Sequence, residues 1–78
     1  MKRTDRNLPY AGLVEWLQRT HDLRYTGYGT VAGLTGMSYG GVKRWHQTGI
    51  PMWTADRLAI KLGAHPADIW PKEWWERT

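Results

Sequence analysis

The chain has 78 residues, a formal net charge of +4 and a pI of about 9.8. This length allows one small domain, whose core is marginal unless helices pack densely or the chain associates with itself. The absence of cysteine excludes a disulfide framework and a thiolate zinc site. The apolar runs are too short for a membrane span, and the polar first residues lack the apolar core of a signal peptide. The basic charge favours a polyanionic partner.

The first part of the chain predicts a basic arm followed by a helix. Residues 1–8 are expected to form a flexible arm, and residues 9–78 to form a single domain. Pro9 suits the first position of a helix, which is predicted to end near His21. The core-facing residues of this helix, at helical spacing, are Leu13, Trp16 and Leu17.

Two short helices joined by a tight turn are predicted next. The second helix opens at Thr26 or Gly27 and ends at Thr35, and Gly36 supplies the positive φ that the turn requires. The third helix spans Tyr39–Thr48. Small or apolar residues then fall where the two helices cross: Ala32, Met37, Val42 and Trp45. We therefore expect a helix-turn-helix with these side chains directed inward.

Proline and glycine residues mark two further helices and a tail. The fourth helix is predicted from Pro51 to Leu62, and Gly63 ends it. A fifth, short helix is predicted from Pro66 to Trp70, with Asp68 favourable near its positive end. The inward residues of the fourth helix are predicted to be Met52, Ala55, Leu58, Ala59 and Leu62. No repeat or linker indicates a second domain.

The third helix presents a basic and polar face in a region without acids. All seven acidic residues lie outside residues 23–55. Lys43 and Arg44 are predicted to face outward, together with Tyr39 and Gln47. Such a face suits a DNA major groove, where Arg44 is the better candidate for a guanine edge and Lys43 for a phosphate.

The segment Val31–Trp45, followed by Thr54–Gly63 and Asp68-Ile69-Trp70, resembles the Cro/CI (XRE) family of helix-turn-helix domains. The resemblance covers about residues 9–70, and small phage or prophage regulators are the most similar group. It implies a compact, all-α, five-helix, lambda-repressor-like fold whose third helix lies in the major groove. By matching position, the residues that face DNA would be Ser38, Tyr39, Gly40, Lys43, Arg44 and Gln47, and those that approach phosphates would be Tyr28, Gly29 and Thr30.

Two glycines stand in the first turn of the third helix. Gly40 and Gly41 are poor helix formers, each costing about 1 kcal/mol relative to alanine. Their missing side chains either allow the backbone to approach DNA closely or are simply tolerated at a helix N-terminus. Both interpretations remain open at the level of sequence.

The chain has six tryptophans and no phenylalanine. Trp16 and Trp45 fall on inward helical positions and are expected to replace phenylalanine in the core. The others either form a self-association surface or complete the core of the monomer. Ile60, on the outward side of the fourth helix, favours association. The candidate dimerisation residues are Ile60, Trp70, Trp74 and Trp75.

No pattern typical of an enzyme is present. His21, His46 and His65 are widely spaced without neighbouring ligands, and no nucleophile motif is visible. We therefore expect no catalysis, metal, cofactor or small-molecule ligand. The expected function is a Cro-like phage or prophage repressor, a homodimer on double-stranded DNA in the cytoplasm of a bacterial host. The alternatives are a recombination directionality or architectural DNA-binding factor, or a protein-interaction module with a vestigial helix-turn-helix.

Overall fold

A computed structural model describes residues 7–77, with side chains up to residue 76. The described residues form six helices and no strands, which confirms the predicted all-α class. None of these helices is long and apolar enough to cross a membrane. Five of them fall on the predicted segments, and α6 forms where the sequence predicts only a charged tail. The helices are α1 Tyr10–His21, α2 Tyr28–Thr35, α3 Tyr39–Thr48, α4 Met52–Lys61, α5 Pro66–Ile69 and α6 Glu73–Arg77.

The helix boundaries follow from backbone chemistry at a few positions. Gly36 ends α2 with a φ of 74°, and Gly63 follows α4 with a φ of 76°, a region that residues with a Cβ adopt only at a cost. At the start of α5, the backbone N–H of His65 donates to the Asp68 carboxylate. The His65 ring in turn accepts from a backbone N–H of the first turn, so the two side chains form a reciprocal cap.

One hydrophobic core joins the helices. Trp70 is fully buried within it, next to Gly12 of α1. The indole N–H of Trp70 donates to the carbonyl oxygen of Pro9 at 2.8 Å, so its polar atom is satisfied. The predicted place of Trp70 in a dimer interface is therefore wrong. The buried apolar residues are Leu8, Tyr10, Leu13, Leu17, Val31, Val42, Trp45, Ile50, Ala55, Leu58, Ala59, Ile69 and Trp70.

Leu8 belongs to this core and not to a flexible arm. Its side chain is fully buried, and its backbone N–H and C=O pair with those of Ile50, each at 2.8 Å. Asn7 adds a hydrogen bond from its side chain to the carbonyl oxygen of Thr48 at 3.0 Å. Residues 1–6 of the predicted arm lie outside the described residues.

Candidate functional site

The outward face of α3 carries those residues of the third helix that are predicted from the sequence to face DNA. Val42 and Trp45 are buried and anchor the inward side of this helix. Ser38 caps its N-terminus, since the Ser38 hydroxyl oxygen accepts from the backbone N–H of Gly41 at 3.0 Å. Tyr39, Lys43, Arg44 and Gln47 are exposed on the outward side, as the helical spacing predicts. Ser38 and Gly40, at the start of the helix, are exposed as well.

Contacts between α2 and α3 hold this face in place. Val31 on α2 and Val42 on α3 are fully buried in the same core. Thr35, the last residue of α2, is also buried, and its hydroxyl donates to the Val31 carbonyl oxygen at 2.7 Å. A buried hydroxyl with a hydrogen bond does not carry the cost of an unpaired one, so the end of α2 packs despite its polarity.

A group of aromatic rings joins α1, α2 and α3 beside the exposed face. The ring of Tyr28 meets that of Tyr39 edge-on, with centroids 5.5 Å apart. The hydroxyl of Tyr28 hydrogen-bonds with Nδ1 of His46, which lies two helical turns after Tyr39 along α3. Tyr10 of α1 completes the group, with its ring centroid 5.2 Å from that of His46. The side chain of Tyr28 therefore braces α3 from α2.

His46 and Tyr10 were missed as site residues by sequence reasoning. His46 lies seven positions after Tyr39, two helical turns along the same side of α3, and this spacing was a usable signal. Tyr10 gave no such signal, because its contact with α3 depends on how α1 packs. Burial raises the pKa of Tyr10, and the neighbouring Tyr28 contributes to the same shift. Among the described residues, the Tyr10 hydroxyl has no hydrogen-bond partner.

The start of α2 lies beside this group. Gly27 precedes the helix without a side-chain cap, and Gly29 is exposed while Thr30 is half-buried. The first amides of any helix have no acceptor within the helix and carry a partial positive charge. Those of Tyr28, Gly29 and Thr30 occupy this position, which suits the anionic group predicted there.

The candidate dimerisation residues do not form one surface. Ile60 is exposed on α4, where it lines a groove that includes no residue of α6. Trp75 is exposed on α6, and Trp74 is half-buried against the core. Met37, predicted to point inward, is instead 40% exposed and lines the same groove as Ile60.

Comparisons with known proteins give no separate identification. No family model, curated protein or solved structure matches the chain. The resemblance to the Cro/CI family therefore rests on the residues of this chain alone. Within residues 7–76, no three His, Asp or Glu side chains are grouped closely enough to hold a metal ion.

Proposed function

We propose that this protein binds double-stranded DNA with α2 and α3 acting as a helix-turn-helix, and that it represses transcription as a Cro-like phage or prophage regulator. One observation carries the proposal: α3 is anchored on one side and exposes two cations and two hydrogen-bonding side chains on the other. A repressor of this kind acts by occluding a promoter, in the cytoplasm of a bacterial host.

The chemistry of the α3 face supports base reading. Arg44 presents a planar guanidinium that can donate two hydrogen bonds to a guanine edge, and Gln47 can bond adenine in a similar way. Lys43, the neighbouring cation, suits a phosphate because its ammonium is a compact point charge. No acidic residue occurs between Asp22 and Asp56, so this segment carries no like charge that would repel the DNA backbone.

The braced geometry of α3 supports the same proposal. A reading helix must hold its side chains in register with the base edges, and each degree of freedom frozen before binding saves free energy on binding. The Ser38 cap orders the first turn of α3, and the bond between Tyr28 and His46 ties its later turns to α2. The reading side chains therefore project from a helix that is fixed at both ends.

We further propose that the protein binds DNA as a homodimer. A single reading helix buries too little surface for tight specific binding. A twofold dimer places two such helices on half-sites about one helical turn apart, and the operator is then palindromic.

The proposal is tested by titrating the protein into fluorescently labelled duplexes that together cover the intergenic DNA next to the gene. Fluorescence anisotropy measures binding, and the titration is repeated at increasing salt concentrations. With roughly three to six phosphate contacts per protomer, log affinity should fall almost linearly with log salt, with a slope of about 0.9 per contact. DNase protection of the tightest-binding duplexes then locates the site: a palindromic footprint beside the gene would support repression, whereas tandem sites beside an attachment site would point to a recombination factor. If no duplex is bound at low salt, the DNA-binding proposal is contradicted. The function that then remains is that of a protein-interaction module with a vestigial helix-turn-helix.

Substitutions on α3 test the assigned roles. Arg44→Ala should reduce discrimination between operator and random DNA by about 1–3 kcal/mol, because it removes a base contact. Lys43→Ala should weaken binding to both DNAs about equally. Lys72→Ala, which removes an exposed charge outside α3, is the control and should change affinity least. Operator binding by a folded Arg44→Ala variant at the level of the unmodified protein would exclude α3 as the reading helix.

A further inference from the structure

A crevice opens where α1, the loop between α1 and α2, and α3 meet. Its volume is about 510 Å³, which is typical of a small-molecule site, and it is open to solvent. The residues that line it come from three segments, 10–15, 25–28 and 39–46. These segments come together only in the fold, so no local motif in the sequence indicates the crevice. The expectation that no small molecule binds rested on such motifs alone.

Aromatic rings form much of the wall of this crevice. All four tyrosines of the chain line it, and we call it the tyrosine crevice: Tyr10, Tyr25, Tyr28 and Tyr39. The ring of His46 also lines it. Tyr25 and Tyr39 are 80% and 60% exposed, so their rings are accessible to a ligand. Tyrosine rings stack on other aromatic rings and attract cations to their faces, so the walls favour a ligand with an aromatic ring, a positive charge or both.

Two residues of the tyrosine crevice have a buried hydroxyl without a hydrogen-bond partner. They are Tyr10, which is 92% buried, and Thr26, which is half-buried. Among the described residues, no other buried side-chain oxygen or nitrogen lacks a partner, and both residues line the same crevice. A buried hydroxyl without a partner destabilises a protein, and a bound molecule can supply that partner. Burial raises the pKa of Tyr10, so its hydroxyl stays protonated at neutral pH and can both donate and accept.

The charged side chains at the tyrosine crevice indicate the sign of the ligand's charge. Glu15 of α1 lines the crevice, whereas no lysine or arginine of the described residues does so. Arg19 and Arg24, the cations that follow Glu15 in the sequence, are outside the lining. A carboxylate beside tyrosine rings favours an ammonium over a carboxylate or a phosphate. An ammonium with N–H groups can also donate to the two hydroxyl oxygens that lack a partner.

We propose that the tyrosine crevice binds a small aromatic amine, with its ring against the tyrosine rings and its ammonium near Glu15 and the hydroxyls of Tyr10 and Thr26. The ring accounts for the aromatic walls, and the ammonium accounts for the carboxylate and the two hydroxyls. This site goes beyond the proposed function, although Tyr28 and Tyr39 belong to both surfaces. Binding of the amine is measured without DNA, so its failure would leave the DNA-binding proposal intact.

A titration of the isotope-labelled full chain with phenethylamine at neutral pH, followed by NMR, tests the site and the class of ligand. The amide signals of residues 10–15 and 25–28 should shift most, and the shifts should saturate. Two matched compounds separate the contributions of ring and charge. Phenethyl alcohol keeps the ring without the ammonium, and butylamine keeps the ammonium without the ring. Each should bind about tenfold more weakly than phenethylamine, because each lacks one of the two groups that the crevice recognises.

Substitutions in the lining test the assigned contacts, and the same NMR spectra verify that each variant is folded. Glu15→Gln should weaken phenethylamine binding about fivefold and leave phenethyl alcohol binding unchanged, because only the amine is charged. Tyr10→Phe keeps the ring, removes the hydroxyl and should also weaken phenethylamine binding about fivefold. Asp56→Asn, which removes an exposed carboxylate outside the crevice, is the matched control and should have no effect.

Three results would overturn the proposal. The first is the absence of saturable shifts in the crevice segments with phenethylamine. The second is equal affinity for phenethyl alcohol, which would show that the crevice does not recognise an ammonium. The third is unchanged phenethylamine binding by the folded Glu15→Gln and Tyr10→Phe variants, which would place the amine elsewhere on the protein.

Discussion

At the scale of single residues, Tyr10 links the stability of the fold to pH. Burial and the nearby Tyr28 raise its pKa above the value of about 10 that it has in an unfolded chain. Between those two pKa values, the unfolded chain has lost the proton while the folded chain retains it. The contribution of Tyr10 to the free energy of unfolding should therefore be independent of pH below about pH 9 and should decrease as the pH rises above about 10.

The substitution Tyr10→Phe tests this directly, with urea denaturation followed from about pH 8 to about pH 11. The variant keeps the ring contacts, removes the titrating proton and removes a buried hydroxyl that has no partner. The free energy of unfolding of the variant should be about 1 kcal/mol higher than that of the unmodified chain at neutral pH. At high pH the variant should lose less stability than the unmodified chain. Tyr25→Phe, at an exposed position, controls for the loss of a phenol. Equal alkaline losses in the Tyr10 variant and the unmodified chain would contradict the prediction.

At the scale of helices, two glycines with the same intrinsic propensity have opposite roles. A Cβ at Gly12 of α1 would lie 2.6 Å from Cδ1 of Trp70, and the fully buried indole has little room to move. A Cβ at Gly33 of α2 would meet no atom within 4 Å. Gly33 therefore only weakens its helix, whereas Gly12 makes room for the largest buried side chain.

The pair Gly12→Ala and Gly33→Ala should shift stability in opposite directions. Gly33→Ala should raise the free energy of unfolding by about 0.5–1 kcal/mol, because alanine favours the helix and restricts the unfolded chain. Gly12→Ala should lower the free energy of unfolding by about 1–3 kcal/mol, because the cost of overpacking the core exceeds the gain in helix propensity. Thermal melts of the two variants measure the difference, and each serves as the control for the other. Stabilisation by both would show that Trp70 has space to move.

The helices were predictable wherever local chemistry decides them. Gly36, Pro51 and the His65–Asp68 cap act within a few residues, so their sequence signals match the observed boundaries. Met37 was misplaced because it lies in the turn, where helical spacing no longer determines which way a side chain points. The α6 helix was missed because five residues next to a proline carry too little periodic signal.

In the candidate site, too, local features were predictable from the sequence and contacts between separate helices were not. The exposure of Lys43, Arg44 and Gln47 follows from the period of a single helix and was predicted. The bond between Tyr28 and His46, and the space that Gly12 leaves for Trp70, depend on how separate helices pack. Nothing in the spacing of residues 58 positions apart indicates that they touch. Sequence patterns therefore located the surface of α3 but not its supports.

At the scale of the whole molecule, contacts between distant parts of the chain close the core. The backbone of Leu8 pairs with that of Ile50, and the indole of Trp70 bonds the carbonyl oxygen of Pro9. The segment just before α1 is thereby joined both to the loop after α3 and to the end of α5. A core of this size supplies only a few kcal/mol in total, so the loss of one such closing contact affects the whole fold.

Leu8→Ala should therefore unfold a large fraction of the molecules at moderate temperature. Removing a fully buried leucine side chain costs about 2–5 kcal/mol, comparable with the whole stability expected of a domain this small. Asn7→Ala is the neighbouring control: it removes one exposed hydrogen bond and should cost less than about 1 kcal/mol. Urea denaturation followed by tryptophan fluorescence measures both, because Trp70 reports on the same core. Similar urea midpoints for the two variants would mean that burial of Leu8 contributes little to the stability of the core. Packing among helices α1–α5 would then be sufficient to stabilise the fold.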